Sequence, residues 1–349
     1  MSADGYTTDA ATRHQVYVQR FGSGLAGKAA KFVRKAIRRA KETVNEGLSQ
    51  YATARYNRQI ETLRSDLNAI YGEMSQQQKL NLGEFAQYEF TFNSKLLGQI
   101  VKAFVRLAEP SAEMIAAAVL ADPLELAVGK GRQVIDITGA LAQLGSKKTA
   151  DILSEIAIGS SLGETQKAIV RRLTSLGVSH EEQVGSLVRT MTNHVASSAR
   201  AETLKQNEEI LQGHRWIATL DSRTTPVCRA RDRKVYPLDG PKPPAHWGCR
   251  SSIVPVLKPE YQREIPGSTR PSKGPDGVEQ VSSATSYGDW LARQPAAFQK
   301  EVLGPARYKL FSKGDLSIDR FVDDNGKQYT LDQLRDLEPH AFELAGISV

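Results

Sequence analysis

The sequence predicts a mainly α protein, with a helical N-terminal half, a small α+β module and a C-terminal helical strap. Before Gly213, apolar residues recur at three- and four-residue spacings over long stretches, the signature of helices with one buried face. After Gly213, short β-branched and aromatic runs bounded by Pro and Gly mark a few strands. The chain of 349 residues exceeds the usual size of one domain, so two or three folding units are expected.

Residues 1–27 are expected to form a flexible arm that orders only against a partner, because Thr7 to about Phe21 carries no clear apolar period. From Lys28 a helical region over 28–183 begins. Phe32, Ala36, Ile37, Ala40 and Val44 recur at helical spacing, while Lys28, Lys31, Arg34, Lys35, Arg38, Arg39 and Lys41 cover the remaining surface with no acid among them. Such a basic amphipathic helix is either a solvated face over a helical core or a binding surface for DNA, an acidic protein or a membrane. Helix continues from about Tyr51 to Leu107 through Ile60, Leu63, Leu67, Ile70 and Tyr71, with Gly72 or Gly83 available as breaks. Glu109 and Pro110, then Pro123, punctuate further helix as far as Ile158. The run Gly159 to Gly163 predicts a flexible loop, followed by a short helix from Thr165 to Leu176. A long helix follows from about His180 to Leu211, ended by Gly213.

The α+β module is placed over 184–262, with strands expected at His214–Leu220, Lys234–Tyr236 and Ser252–Val256. Residues 263–280 hold Pro266, Gly267, Pro271, Gly274, Pro275 and Gly277, the composition of a linker. The strap over 281–349 resumes helical patterning from Tyr287 to Val302. Asn325-Gly326 is a hairpin-turn signal, and Thr330 with Gln333 has the spacing of a capping box.

Composition narrows the function classes. A hydrophobic fraction of 40% with 24% charged residues is ordinary for a soluble protein, and no apolar stretch reaches the length of a membrane span. The opening residues lack the basic start, apolar core and cleavage site of a secretory signal, so the chain is expected to act where it is made. A formal net charge of +7 favours an acidic partner, nucleic acid first. The sequence has no GxxxxGK[ST] phosphate loop and no HExxH helix, and its one GxSxG string, Gly159 to Gly163, lies between expected helices rather than after a strand, so it does not read as a nucleophile elbow. An ATP-driven motor, a zincin protease and a typical serine hydrolase therefore lose support.

The most informative chemistry lies in the only two cysteines, Cys228 and Cys249. With His246 they place two thiols and an imidazole on two loops that neighbouring strands can bring together, and these are the ligand types zinc prefers. A closed site needs a fourth ligand, from Asp221 or His214, whereas a water in that position leaves the site open. Buried thiols without a partner, a disulfide, and a cysteine nucleophile activated by His246 and Arg250 are the competing readings. The nucleophile lacks an orienting third group, so no catalytic residue is assigned.

The order Arg189-Thr190, Ala199-Arg200-Ala201, Trp216 to Thr224, Cys228, Val235-Tyr236, Pro243-Pro244, His246 and Cys249-Arg250 resembles the central motif of the Mu F-like phage head morphogenesis proteins. Downstream, Tyr287 to Leu291, Gln294-Pro295, Phe298-Gln299, Leu303-Gly304 and Arg307-Tyr308 are similar to the tail that follows it, so the likeness covers about Val184 to Leu334. The resemblance implies a minor head protein of a tailed bacteriophage, made in the host cytoplasm and present in few copies in the virion. It implies a place in the inner head near the portal, with portal protein, major capsid protein, other internal head proteins and packaged DNA as partners. Membrane contact is expected only if the protein is ejected with the genome. Family members commonly have cysteine where Thr225 and Ser251 stand here. Cys228, His246 and Cys249 match the motif, and Asp221 matches an acidic position.

Overall fold

The computed structural model describes residues 3–347 except 109, 129, 130, 264 and 266. Four long helices make the body: α1 (Ala3–Asn45), α2 (Ala54–Ile100), α4 (Ile137–Ser161) and α5 (Gln166–Lys205), with the short α3 (Ala112–Ala121) and the hairpin β1 (Leu124–Val128) and β2 (Gly131–Ile135) between α2 and α4. The module follows as β3 (Leu211–Ile217), β4 (Leu220–Asp221), α6 (Pro226–Arg231), β5 (Val235–Tyr236) and β6 (Ser252–Leu257). A hairpin of β7 (Thr269–Gly274) and β8 (Gly277–Ser282) leads to α7 (Tyr287–Ala292), α8 (Ala296–Leu303), α9 (Pro305–Ser312), α10 (Leu331–Leu337) and α11 (Pro339–Ala345).

The helical body shares one core. Ala36, Ile37, Ala40 and Val44 of α1 meet Leu63, Leu67 and Met74 of α2, Ile152 and Ile156 of α4, and Leu173, Val188 and Met191 of α5. The apolar period read from Lys28 onward therefore does mark the buried side of α1, with Phe32 half-buried against the same core. Small residues let α1 and α5 approach closely: a Cβ on Gly22 would lie 3.2 Å from the Thr192 Cβ.

The expected arm over 1–27 is corrected, because α1 begins at Ala3 and runs unbroken into the basic segment. Its front half carries little apolar period because it docks through small and polar side chains. Ala11 packs with Ile217 and Val254. The His14 Nε2 lies 2.6 Å from the carboxylate of the fully buried Glu89. Gln15 donates to Asn193 Oδ1 at 2.7 Å, and Asn193 in turn donates to the Cys249 carbonyl at 3.0 Å.

Other boundaries also move. Neither Gly72 nor Gly83 interrupts α2, since an internal helical glycine costs only about 1 kcal/mol, which the shared core outweighs. The two helices expected between Thr165 and Leu211 are one, capped at its start by Thr165 and ended at Lys205 rather than Gly213. The flexible loop at Gly159 to Gly163 shrinks to a turn after Ser161, because Gly159 sits against Ile169, where a Cβ would fall 2.6 Å from Ile169 Cγ1. The β1–β2 hairpin, with Leu124, Leu126 and Ile135 buried, occupies a stretch expected to be helical. The expected break at Glu109 lies outside the described residues, as does Pro266 of the expected linker.

In the module, β3 is the centre of an antiparallel sheet in the order β5-β3-β6. The strands expected at Lys234–Tyr236 and Ser252–Val256 are present, whereas the one expected at His214–Leu220 starts earlier and stops at Ile217, and Leu220 pairs in the other sheet as part of β4. The linker expectation over 263–280 is corrected: β7 pairs parallel with β4 and antiparallel with β8. What fixes this hairpin is a buried charge. Arg270 on β7 donates to both carboxylate oxygens of Asp232, at 3.0 and 3.1 Å, and both side chains are fully excluded from solvent. Beyond the hairpin, the helix expected from Tyr287 to Val302 is split at Pro295 into α7 and α8. The Asn325-Gly326 turn closes between Val322 and Gln328, and Thr330 with Gln333 forms the expected capping box on α10.

Two predictions follow from buried charge. Removing one partner of a buried ion pair leaves the other unpaired, at about 3–5 kcal/mol, so Asp232→Ala should lower unfolding stability by that order in urea titration. A loss below about 1 kcal/mol would show that the pair does not hold the hairpin. In the bundle, His180 is buried between Lys148 and Asp151, and burial, reinforced by the Lys148 charge, pushes its pKa from 6.5 down to about 4. The unfolded chain then binds a proton that the folded chain refuses, so this contribution is complete above pH 6.5 and declines as pH falls toward 4. A loss of about 1–3 kcal/mol is expected across that window. Thermal unfolding of wild type and His180→Gln at several pH values should show a flatter acid slope in the variant.

Candidate metal centre

The module brings Cys228, His246 and Cys249 together, as their residue types suggested. Cys228 comes from α6, which Pro226 starts at a position where a missing N–H costs nothing. His246 and Cys249 come from the loop that returns to β6, after a cis bond between Pro243 and Pro244. The Cys228 Sγ lies 3.3 Å from His246 Nε2 and 3.7 Å from Cys249 Sγ. All three donor atoms fall within 4.8 Å of one another. The loop is held from outside as well: the Gly248 amide donates to Thr190 Oγ1 of α5 at 3.1 Å.

Electrostatics divide the two thiols. Cys228 is pushed well up, first by its hydrogen bond to Cys249 and then by burial. Burial opposes ionisation of Cys249 too, yet hydrogen bonds from the Cys228 thiol and from His246 outweigh it and hold this thiol well below the usual range. His246 is desolvated, which lowers its pKa, but the Cys249 sulfur raises it by more. The negative charge thus settles on Cys249, with the imidazole beside it.

This donor set fits zinc. Two sulfurs and one imidazole nitrogen converge, and His246 Nδ1 faces the Trp247 carbonyl at 2.9 Å, which assigns the Nδ1 proton to that bond and leaves Nε2 as the ligand atom. Both sulfurs are buried, at 2% and 1% exposure, which suits a structural site and leaves an attacking thiolate no approach to substrate.

The proposed fourth ligands are elsewhere. Asp221 is clamped by Arg250 through two hydrogen bonds of 2.6 and 2.8 Å. It also accepts from the Arg223 amide and the Thr224 hydroxyl, both at 3.1 Å. Its role as a ligand is corrected: the carboxylate ties the Asp221-Ser222-Arg223-Thr224 turn to the residue after Cys249. His214 is outside the converging group of Cys228, His246 and Cys249, with its Nε2 facing the Pro241 carbonyl at 2.9 Å. What lies against Cys228 instead are the hydroxyls of Ser251 and Thr225, both of which favour its ionised form. These are the two positions where the resemblance implied cysteine. Sequence reasoning missed Asn193 and named Thr190 and Arg250 without the supporting contacts they make here. Arg250 carried a readable signal, a cation adjacent to Cys249 in a motif that also holds an unpaired acid.

The basic helix face is partly neutralised. Arg34 pairs with Glu181, Lys35 with Glu73 at 3.2 Å, and Arg39 with Asp66 at 2.8 Å. Lys28, Lys31, Arg38 and Lys41 have no ion-pair partner among the described residues, and the first three are exposed. Ile37, which a membrane-inserting version of this helix would need at the surface, is buried at 7% exposure. Among the described residues, no helix is long and apolar enough to cross a membrane.

A long-helix body is thus joined to an α+β module whose Cys/His loop is hydrogen-bonded to α5. Residues 150–254 match the family described as Phage Mu protein F like protein, so the central segment of the chain is similar to that family. The match begins in α4, upstream of the Val184 boundary read from the motif, and ends in β6, before the downstream likeness around Tyr287. Searches of curated proteins and of solved structures gave no match.

Elemental analysis of purified protein is expected to find about one zinc per chain. Cys228→Ser and Cys249→Ser should lose it together with cooperative unfolding of the module. Ser251→Cys adds a third sulfur and should tighten binding by at least about tenfold in competition with a chromophoric chelator. Wild-type protein that takes up no zinc under reducing conditions, with unchanged stability in the serine variants, would reduce the cluster to core packing.

Proposed function

We propose that this protein is a minor head protein of a tailed bacteriophage, acting non-catalytically in head morphogenesis at the portal and capsid interior. The observation that carries this reading is the Mu F-like match over residues 150–254. In this reading the helical body docks on portal protein, on major capsid protein or on other internal head proteins, and zinc at Cys228, His246 and Cys249 stabilises the module. The exposed cations Lys28, Lys31 and Arg38, with Lys41, face packaged DNA, and the protein can leave with the genome during ejection. The stripe supports this last step because its charges are not consumed by neighbouring acids, whereas Arg34, Lys35 and Arg39 already have partners.

A DNA-binding protein acting outside a virion is favoured by the same stripe, and localisation separates the two. Mass spectrometry of purified phage heads should find the chain in few copies alongside portal and capsid proteins. Its absence from heads, with DNA binding retained, would favour the second reading. Replacing Lys28, Lys31, Arg38 and Lys41 by Gln should weaken duplex binding and reduce the salt slope by about 3–4, roughly 0.9 for each phosphate that is no longer neutralised. An unchanged slope would remove this face as the DNA-binding surface.

A further inference from the structure

A groove of about 580 Å³ runs between the front half of α1 and the module. Its lining includes Val16 and Arg20 from the helix, the buried Ile217 and the exposed Arg223 from the β3–β4 region, and Lys273 and Val278 from the β7–β8 hairpin. Two features of this groove, apart from Ile217, have no role in the fold or in the metal centre.

The first is exposed apolar surface. Val16 and Val278, from α1 and β8, are 47% and 72% exposed and line one site together, which marks a recognition surface rather than scattered surface hydrophobics. The second is charge. The lining contains no Asp or Glu, but it contains Arg20, Arg223, Arg250 and Lys273. Arg250 is spent on Asp221. Arg223 reaches the same carboxylate only at 3.7 Å and its side chain is 77% exposed. Arg20 and Lys273 are exposed and have no ion-pair partner among the described residues.

The backbone adds a third element. β8 is the outer strand of the β4-β7-β8 sheet, and its residues Gly277 to Gln280 are all exposed. An outer strand presents unpaired N–H and C=O groups, a ready template for an added strand. The one acid on this stretch, Glu279, accepts from the Ser272 hydroxyl at 3.2 Å and is not part of the groove lining.

We propose that this groove is a docking site for an extended segment of another protein that alternates apolar and acidic side chains. The apolar side chains settle on Val16 and Val278, the carboxylates meet Arg20, Arg223 and Lys273, and the backbone runs along the free edge of β8. Duplex DNA would satisfy the cations but would leave the apolar walls without a partner. This inference goes beyond the head-protein reading and does not depend on it, because it rests on the lining of the groove alone.

The test is fluorescence anisotropy on the full chain with two labelled hexapeptides, one alternating leucine and glutamate, the other leucine and lysine. Wild type should bind the acidic peptide and not the basic one. The double variant Arg20→Glu with Lys273→Glu should weaken acidic-peptide binding by at least about tenfold and gain affinity for the basic peptide. Val16→Asp, at an exposed site that tolerates the change, should weaken the acidic peptide as well. The gain of basic-peptide binding also guards against a variant that has merely unfolded. Equal binding of both peptides by wild type, or unchanged acidic-peptide affinity in the charge-reversed variant, would overturn the proposal. So would binding of phosphatidylglycerol vesicles by wild type with no binding of the acidic peptide, which would assign the groove to a lipid surface.

Discussion

The carboxylate of Asp232 is the point at which the C-terminal half of the molecule is joined. It accepts from the Ala218 amide at 2.7 Å, from two nitrogens of Arg270, and from the Tyr287 amide at 2.8 Å. Taking an ion pair out of water is costly, and the cost is offset only where hydrogen bonds saturate both partners. Here Arg270 also donates to the carbonyls of Thr285 and Ala218. One anion and one cation therefore fix the exit of β3, the end of α6, the β7–β8 hairpin and the start of α7 relative to one another. The third core, around Trp290, Leu310 and Phe342, forms on that frame.

A second buried network joins the module to the helices. Arg200 of α5, fully desolvated, donates to Asn93 of α2 at 2.7 Å and to Ser252 of β6, while Asn193 connects α1 to the Cys249 loop. Burial lowers the Arg200 pKa, and the neighbouring Glu89 opposes that shift. The candidate metal centre is thus not an isolated knot on a flexible appendage. Its loop is hydrogen-bonded to the helix that carries the bundle core, so a change at Cys249 is felt by α5 and by the front of α1.

How much of this was legible depended on which force positioned each residue. Where burial of apolar groups decides, the sequence period reports it, as it does for Ala36, Ile37, Ala40 and Val44. The convergence of Cys228, His246 and Cys249 was also legible, because ligand-type residues on short connected loops have few other uses. The front of α1 was not, since Thr8, Ala11, Gln15 and Gly22 pack by small size and hydrogen bonding, neither of which leaves a hydrophobic period. The β7–β8 hairpin was hidden for a related reason: its Pro, Gly and Ser composition is that of a linker, and only the distant Asp232 makes Arg270 a core residue. Asp221 was misread because a lone acid near a thiol pair looks the same on paper whether it serves a metal or an arginine.

The length of α1 has a consequence for synthesis on the ribosome. Its front half is anchored by partners that emerge far later, as in the hydrogen bond from Arg233 to the Thr8 hydroxyl, which spans 225 positions of chain. Its rear half meets α2 much sooner. During translation the first turns therefore have only part of their docking surface while the bundle begins to assemble. The first turns can meet α2 early, through His14 and Glu89, but their full set of partners is complete only when β6 and β7 have been made.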